Sequence, residues 1–290
     1  MQKILITGAN GQLGSEIREL SPAYASAFEL VFTDVAELDI TNPNAVQAFF
    51  EAVKPNFVVN CAAYTAVDKA EAEKALAEAI NHLAVANLAQ ASAAAGAYFI
   101  HISTDYVFDG KKNTPYREDD ATNPQSAYGL TKARGESAAL SYAKGMVIRT
   151  GWLYSKFGNN FVKTMLRLGA ERQQLGVVAD QVGTPTSAAD LARCIMSIIG
   201  QVAAREREFA GGVFHFSNEG VCSWYDFAVQ IMKLGKRTCR VLPIESSAYP
   251  TPAPRPSYSV LCKEKVRSAY GVEIAHWAES LEVVISQMAV

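Results

Sequence analysis

The stretch Ile4-Leu5-Ile6-Thr7-Gly8-Ala9-Asn10-Gly11-Gln12-Leu13-Gly14 constrains this chain more than any other. A short apolar run gives way to three glycines spaced three apart, and a helix-patterned segment opens among them. A strand that turns so tightly into a helix is the first βα unit of a parallel sheet. Each glycine has its own reason there. Gly8 permits the tight turn, Gly11 lets backbone approach a pyrophosphate, and Gly14 lets helix and strand pack closely. The helix start adds unpaired N–H groups and a partial positive charge for the anion. The plain alternative is a tight turn with no ligand.

The remainder of the first half has the matching rhythm. Lys3–Thr7, Glu29–Thr33, Asn56–Asn60, Ala97–Ser103 and Met146–Thr150 read as buried strands. Helices are expected between them at Gln12–Leu20, Pro43–Val53, Lys69–Ala95 and Ser126–Ala143. The pattern predicts an α/β fold, a Rossmann-type doubly wound parallel sheet. Beyond residue 150 the regularity fades to a strand at Gln174–Val178, a helix at Ala188–Gly200, a strand at Gly212–Ser217 and a helix at Ser223–Leu234. Tyr249–Pro256 holds four prolines in eight residues and reads as an ordered loop or strap. We therefore expect a dinucleotide-binding domain over 1–150 and about 177–217. A smaller, C-terminal substrate-binding domain is expected over about 151–176 and 218–290.

Composition narrows the classes. With 290 residues, 49% of them hydrophobic, the chain is long enough to bury a core without metal or disulfide staples. A formal net charge of −2 argues against the cationic surface that nucleic-acid binding needs. Five scattered cysteines, Cys61, Cys194, Cys222, Cys239 and Cys262, form no CxxC pair, as expected in a reducing cytoplasm. The apolar start reaches Gly8 too soon for a signal-peptide core. Ala79–Thr104 lacks charge but carries Asn81, His82, Asn87, Gln90, Ser92 and His101, too polar for a membrane span. His82, His101, His215 and His276 show no ligand spacing, and no GxSxG elbow occurs.

Asp34 ends the second strand, where a carboxylate accepts from the adenosine ribose; it reads equally as a surface turn acid. A 2′-phosphate would meet repulsion there, so NADH is favoured over NADPH. Asp39-Ile40 and Ala62-Ala63 come next at strand ends where adenine and the nicotinamide-side ribose would lie. Of the twelve tyrosines, only Tyr128 has a lysine four residues on, Lys132, which places phenol and ammonium on one helical face. A nearby ammonium is expected to lower the Tyr128 pKa and make it a general acid/base. Ser103-Thr104-Asp105 ends the fourth strand and supplies a hydroxyl at the same sheet edge.

In this order, glycine turn, strand-end hydroxyl and Tyr-x-x-x-Lys resemble the extended short-chain dehydrogenase/reductase superfamily. The segments Asn60–Glu71, Ser103–Gly110, Gly158–Met165, Asp180–Thr186 and Ala248–Pro256 resemble the dTDP-4-dehydrorhamnose reductases over nearly the whole chain. The resemblance implies Thr104, Tyr128 and Lys132 as the catalytic set. It implies cofactor contacts at Gly8, Asn10, Gly11, Gln12, Leu13, Gly14, Asp34, Asp39, Ile40, Ala62, Ala63 and Thr65, besides Tyr128 and Lys132. Thr104, Asp105 and Trp152 are expected near the sugar and Arg255 near the diphosphate; core packing for Trp152 and a surface salt bridge for Arg255 are the plainer readings. Some relatives hold magnesium between subunits. Glu16 would suit it, but Ala188-Ala189 stands where a second carboxylate is expected, so no metal is assigned.

The implied reaction is reduction of the C4 ketone of dTDP-4-dehydro-L-rhamnose to dTDP-L-rhamnose, on a dTDP-sugar and in a possible homodimer. Two alternatives stay open: a reductase forming dTDP-6-deoxy-L-talose, and a non-catalytic dinucleotide-binding subunit like the regulatory subunit of methionine adenosyltransferase.

Overall fold

Strands covered on both faces need continuous apolar runs, and the chain supplies them. A computed structural model describes residues 1–288. In it, β1 (Gln2–Thr7), β2 (Phe28–Thr33), β3 (Phe57–Asn60), β4 (Tyr98–Thr104) and β5 (Gly145–Thr150) join the strand Gly212–His215 in one six-stranded sheet. All its pairings are parallel, in the order Gly212–His215, β5, β4, β3, β1, β2. The chain starts in the middle, moves out to β2, then crosses back over β1 to β3. That reversal opens a crevice at the carboxyl ends of β1 and β3, where ligands of such sheets bind.

Successive residues of β1 face opposite layers. Ile4 and Ile6 pack with Leu13 and Ile17 of α1 (Gln12–Tyr24) and with the buried side of the helix Ala188–Ala203. Leu5 packs the other way with Val58, Phe99 and Val147, beneath α2 (Pro43–Val53) and the helix Ala84–Ala95. Asn42 caps α2 by accepting from the Asn44 and Ala45 amides, and Pro43 takes the first helical position, where no N–H is needed.

The sequence suggested one helix over Lys69–Ala95. The structure has a single turn at Val67–Ala70, then a helix from Lys74 interrupted by a wide π turn at Ala79–Leu83. Tertiary contact is the reason. Gly135, in the helix Ala127–Leu140, packs directly on the Asn81 carbonyl, and the Asn81 amide bonds Tyr64 on both its N–H and its C=O.

A second apolar cluster lies beyond the sheet. Val162, Met165 and Leu166 of the helix Phe161–Glu171 meet Phe227, Ala228 and Ile231 of Trp224–Leu234 and Leu281, Val284 and Ile285 of Trp277–Ser286. These helices flank a parallel pair, Gln174–Val178 with Arg240–Ile244. The helices Phe161–Glu171 and Trp277–Ser286 and the strand Arg240–Ile244 were not apparent from sequence. Tyr249–Pro256 runs without regular structure. Among the described residues no helix is long and apolar enough to cross a membrane, and all five cysteines are free.

Candidate active site

The glycine turn has the geometry its spacing implied. Gly8 sits at φ +65°, and a Cβ there would lie 2.5 Å from the Ala62 nitrogen. A Cβ on Gly14 would lie 2.5 Å from the Ala9 Cα, so helix and turn touch backbone to backbone. Gly11 is different: its missing Cβ would meet only the Gly8 carbonyl, at 3.2 Å. Gly11 caps α1 without any side-chain acceptor, and no acid stands in the first helical turn. The opening N–H groups are therefore available to an anion.

Gly8, Gly11, Asp34, Asp39, Ile40, Ala62 and Ala63 line one cavity of about 290 Å³ at the crevice. Asp34 accepts from the Asn10 amide at 3.0 Å and from its neighbour Val35 at 2.9 Å, tying the turn to the end of β2. The Thr41 hydroxyl and amide, donating at 2.6 and 2.9 Å, hold the Asp39 carboxyl below the usual carboxylate range. The Leu13 side chain belongs to the core, which leaves only its backbone for a ligand. Gln12 is held by Asn160, whose amide donates to its Oε1 at 3.0 Å. Thr65 is exposed and does not line this cavity.

Across the crevice the groups are buried. Ser126 caps the helix Ala127–Leu140 by accepting from the Gly129 amide at 3.1 Å, which sets the first turn that carries Tyr128. Tyr128 is 8% exposed, with the Tyr106 ring edge-on at 5.5 Å. Burial pushes the phenol up to about 12; the nearby Thr104 hydroxyl works against this and the Asp105 carboxylate works with it. The Thr104 hydroxyl donates to Asp105 Oδ1 at 3.0 Å and accepts from the Tyr106 amide at 3.2 Å. Asp105 is itself buried, which lifts its carboxyl to about 6 against the opposing influence of the nearby Ser259 and Thr104 hydroxyls. Its Oδ2 has no hydrogen-bond partner among the described residues and lies against Gly151, where a Cβ would come within 2.7 Å.

Lys132 corrects one expectation. Its ammonium was expected to lower the Tyr128 pKa, yet burial dominates and shifts Tyr128 upward. The amine is 2% exposed, donates to the Ile102 carbonyl at 2.6 Å and lies 3.3 Å from His101 Nε2. A buried amine must satisfy its hydrogens locally, and the end of β4 offers the nearest acceptor. Burial lowers Lys132 to about 8, opposed by Glu136 and Cys61.

Trp152 and Arg255, expected at the substrate, are each engaged in contacts of their own. Trp152 comes just after β5 with a left-handed φ of +51°, a conformation rare for a bulky side chain. Its indole stacks on Trp224 with ring centroids 3.5 Å apart and planes within 9°. Arg255 bonds Asp68 at 2.8 Å and the Ala253 carbonyl at 3.0 Å. It lines a cavity of about 200 Å³ together with Tyr106 and Ser126. Pro256 rests directly on Gly110, at φ +74°, which pins the proline-rich strap across this mouth. Glu16 is buried, bonded by the Ser155 hydroxyl at 2.6 Å and raised by that burial. Among the described residues no group of three or more His, Cys, Asp and Glu is placed to hold a metal.

Three buried polar residues that bond groups near the site, without lining its cavities, escaped the sequence reading. Asn60, Asn81 and His101 are each fully buried. Lone amides in apolar or alanine-rich segments were the available signal, since a buried polar group implies a partner.

A profile of the family described as RmlD substrate binding domain matches residues 1–290. A dTDP-4-dehydrorhamnose reductase of Aggregatibacter actinomycetemcomitans is 40% identical over 289 residues, covering 97% of this chain and 98% of that protein. The crystal structure of a dTDP-4-dehydrorhamnose reductase from Clostridium acetobutylicum superposes with a TM-score of 0.92 at 48% identity, over 98% of this chain and 99% of that one. One from Bacillus anthracis, in complex with NADP, superposes with a TM-score of 0.92 at 40% identity, over 99% of this chain and 100% of that one.

Proposed function

Because this chain belongs to the RmlD family of dTDP-4-dehydrorhamnose reductases, NAD(P)H-dependent oxidoreductases, we propose that it reduces the C4 ketone of dTDP-4-dehydro-L-rhamnose to dTDP-L-rhamnose, with Tyr128 as proton donor. The observation that carries this reading is the buried Tyr128 in the first turn of the helix Ala127–Leu140, with Thr104 at the end of β4 and a turn with free helix N–H groups across the crevice. The bound nicotinamide supplies the hydride. Tyr128 keeps its proton through neutral pH, the form a donor to a developing C4 alkoxide must have. Thr104 hydrogen-bonds the oxygen that gains charge. Lys132 stabilises the phenolate left behind, which requires it to carry a proton at that moment.

Gly8, Gly11 and Gly14 with the α1 amides hold the pyrophosphate, Asp34 the adenosine ribose, Asp39 and Ile40 the adenine side, and Ala62, Ala63 and Thr65 the nicotinamide half. Asp34 favours NADH, since its carboxylate would repel a 2′-phosphate. Residues of about 151–176 and 218–290 form the sugar-nucleotide side, with Trp152 and Asp105 at the sugar. Arg255, released from Asp68, meets the diphosphate.

Oxidation of NADH and of NADPH with enzymatically generated dTDP-4-dehydro-L-rhamnose tests the reading. Tyr128→Phe is expected to lower turnover by about 10²–10⁴-fold with dinucleotide affinity nearly intact. Comparable turnover in the variant, or a C4-epimeric product by NMR, would refute the assignment of Tyr128 or of the product respectively.

A further inference from the structure

Thr7, Asn60 and His101 are register partners across β1, β3 and β4, so their side chains stand in one row at the carboxyl edge of the sheet. All are buried, and the row ends at Lys132. The Thr7 hydroxyl lies 2.7 Å from Asn60 Oδ1, the Ala62 amide 3.1 Å from the same oxygen, Asn60 Nδ2 3.0 Å from His101 Nδ1, and His101 Nε2 3.3 Å from Lys132 Nζ.

Proton accounting along this row leaves little freedom. The Ala62 N–H can only donate, so the Asn60 atom facing it is the oxygen, and turning the amide over would set two donors against each other. Asn60 Nδ2 then donates to His101 Nδ1. A neutral imidazole that accepts on Nδ1 carries its hydrogen on Nε2, and burial keeps His101 neutral, its pKa well below the ordinary value. The Nε2–H therefore points at Lys132. A neutral amine satisfies this arrangement: it donates to the Ile102 carbonyl and accepts from Nε2–H. An ammonium has no lone pair to offer and meets a donor.

We propose that His101 is a positioning residue for the reductase, held by Asn60 as the Nε2–H tautomer so that Lys132 is biased toward the neutral amine and takes up a proton from solvent only when Tyr128 becomes a phenolate. The inference rests on the role given to Lys132 above. Other groups facing the amine act in the opposite sense: Glu136, clamped by Arg149 at 2.7 and 2.8 Å, and Cys61. Neither supplies a directed N–H. In the resting pocket the amine is neutral, and once Tyr128 has given its proton to the substrate the phenolate charge favours uptake of a proton from solvent by that amine.

The direct test is ¹⁵N NMR of the histidine rings in the whole protein without nucleotide, among only four histidines. His101 should show the Nε2–H tautomer from about pH 6 to 9, and Asn60→Asp should turn it to Nδ1–H. An Nδ1–H tautomer or an imidazolium in the parent protein overturns the proposal. In kinetics, His101→Phe removes the N–H while keeping a ring against Phe99, and the basic limb of the kcat/KM profile should move up by about one pH unit. A uniform loss of rate with the limb unmoved would mean a purely structural histidine and would also overturn it. Undiminished turnover in Tyr128→Phe would instead break the reading of the site while leaving the tautomer result untouched.

Discussion

The two walls of the crevice solve opposite problems. On the glycine-turn wall, the ionisable groups Asp34 and Asp39 hold ordinary hydrogen bonds near solvent, and the working surface is backbone. On the Tyr128 wall, Asp105, Tyr128, Lys132 and His101 are all buried and displaced from their ordinary titration ranges. A large, highly charged ligand is held best by shape and aligned N–H groups, which cost little to leave hydrated when it departs. Moving a proton needs side chains whose charge has been made expensive, and here burial is the largest cause of that.

The sharpest way to break this contrast is within the turn itself. Gly8→Ala places a Cβ against fixed backbone at a positive φ and should destabilise the fold by on the order of 4 kcal/mol. Gly11→Ala has only the Gly8 carbonyl to displace, so melting should change little while dinucleotide affinity falls about tenfold, or about 1.4 kcal/mol. Thermal denaturation beside calorimetric titration separates the two. Equal binding by Gly11→Ala would remove the argument for close backbone approach.

The buried wall predicts a gain on mutation. The folded-state pKa of Asp105, about 6, lies above its ordinary 3.8. Its carboxyl thus favours folding below that ordinary value, and the contribution is lost as pH rises through about 6. Asp105→Asn should stabilise the protein at pH 8 by between about 1 and 3 kcal/mol, with little gain at acid pH and lower activity at both. Urea denaturation at the two pH values reads this, and an unchanged or reduced stability at the higher pH would contradict it. The exposed wall predicts a change in preference and not in stability. Asp34→Ser should move the NADPH-to-NADH ratio of kcat/KM toward NADPH by about tenfold, because a charge near solvent is screened.

Legibility in the sequence divides along similar lines. The strands and the glycine turn could be read because apolar continuity and residue spacing are local properties. The spacing of Tyr128 and Lys132 correctly put both on one helix, but helical periodicity does not say which carbonyl meets the amine. Ile102 and His101 meet it because β4 runs beneath that helix. The row Thr7–Asn60–His101 exists only through strand register, which no single segment encodes. The second cluster was obscure for a related reason. Its aromatic contacts, Trp152 on Trp224 and Phe161 on Phe227, join segments that are short and far apart in sequence.

The wide turn at Ala79–Leu83 has a consequence for any attempt to shorten or idealise this chain. Deleting one residue there would let the helix wind regularly, a local improvement by propensity alone. It would also rotate everything upstream by about 100° relative to the rest of the helix and swing Asn81 out from under Tyr64. The loop from Ala62 to Thr65 would then lose its fastening to the helix layer. A redesign scored on helix quality would favour that deletion, and the resulting protein would keep its secondary structure while the rim of its crevice came loose.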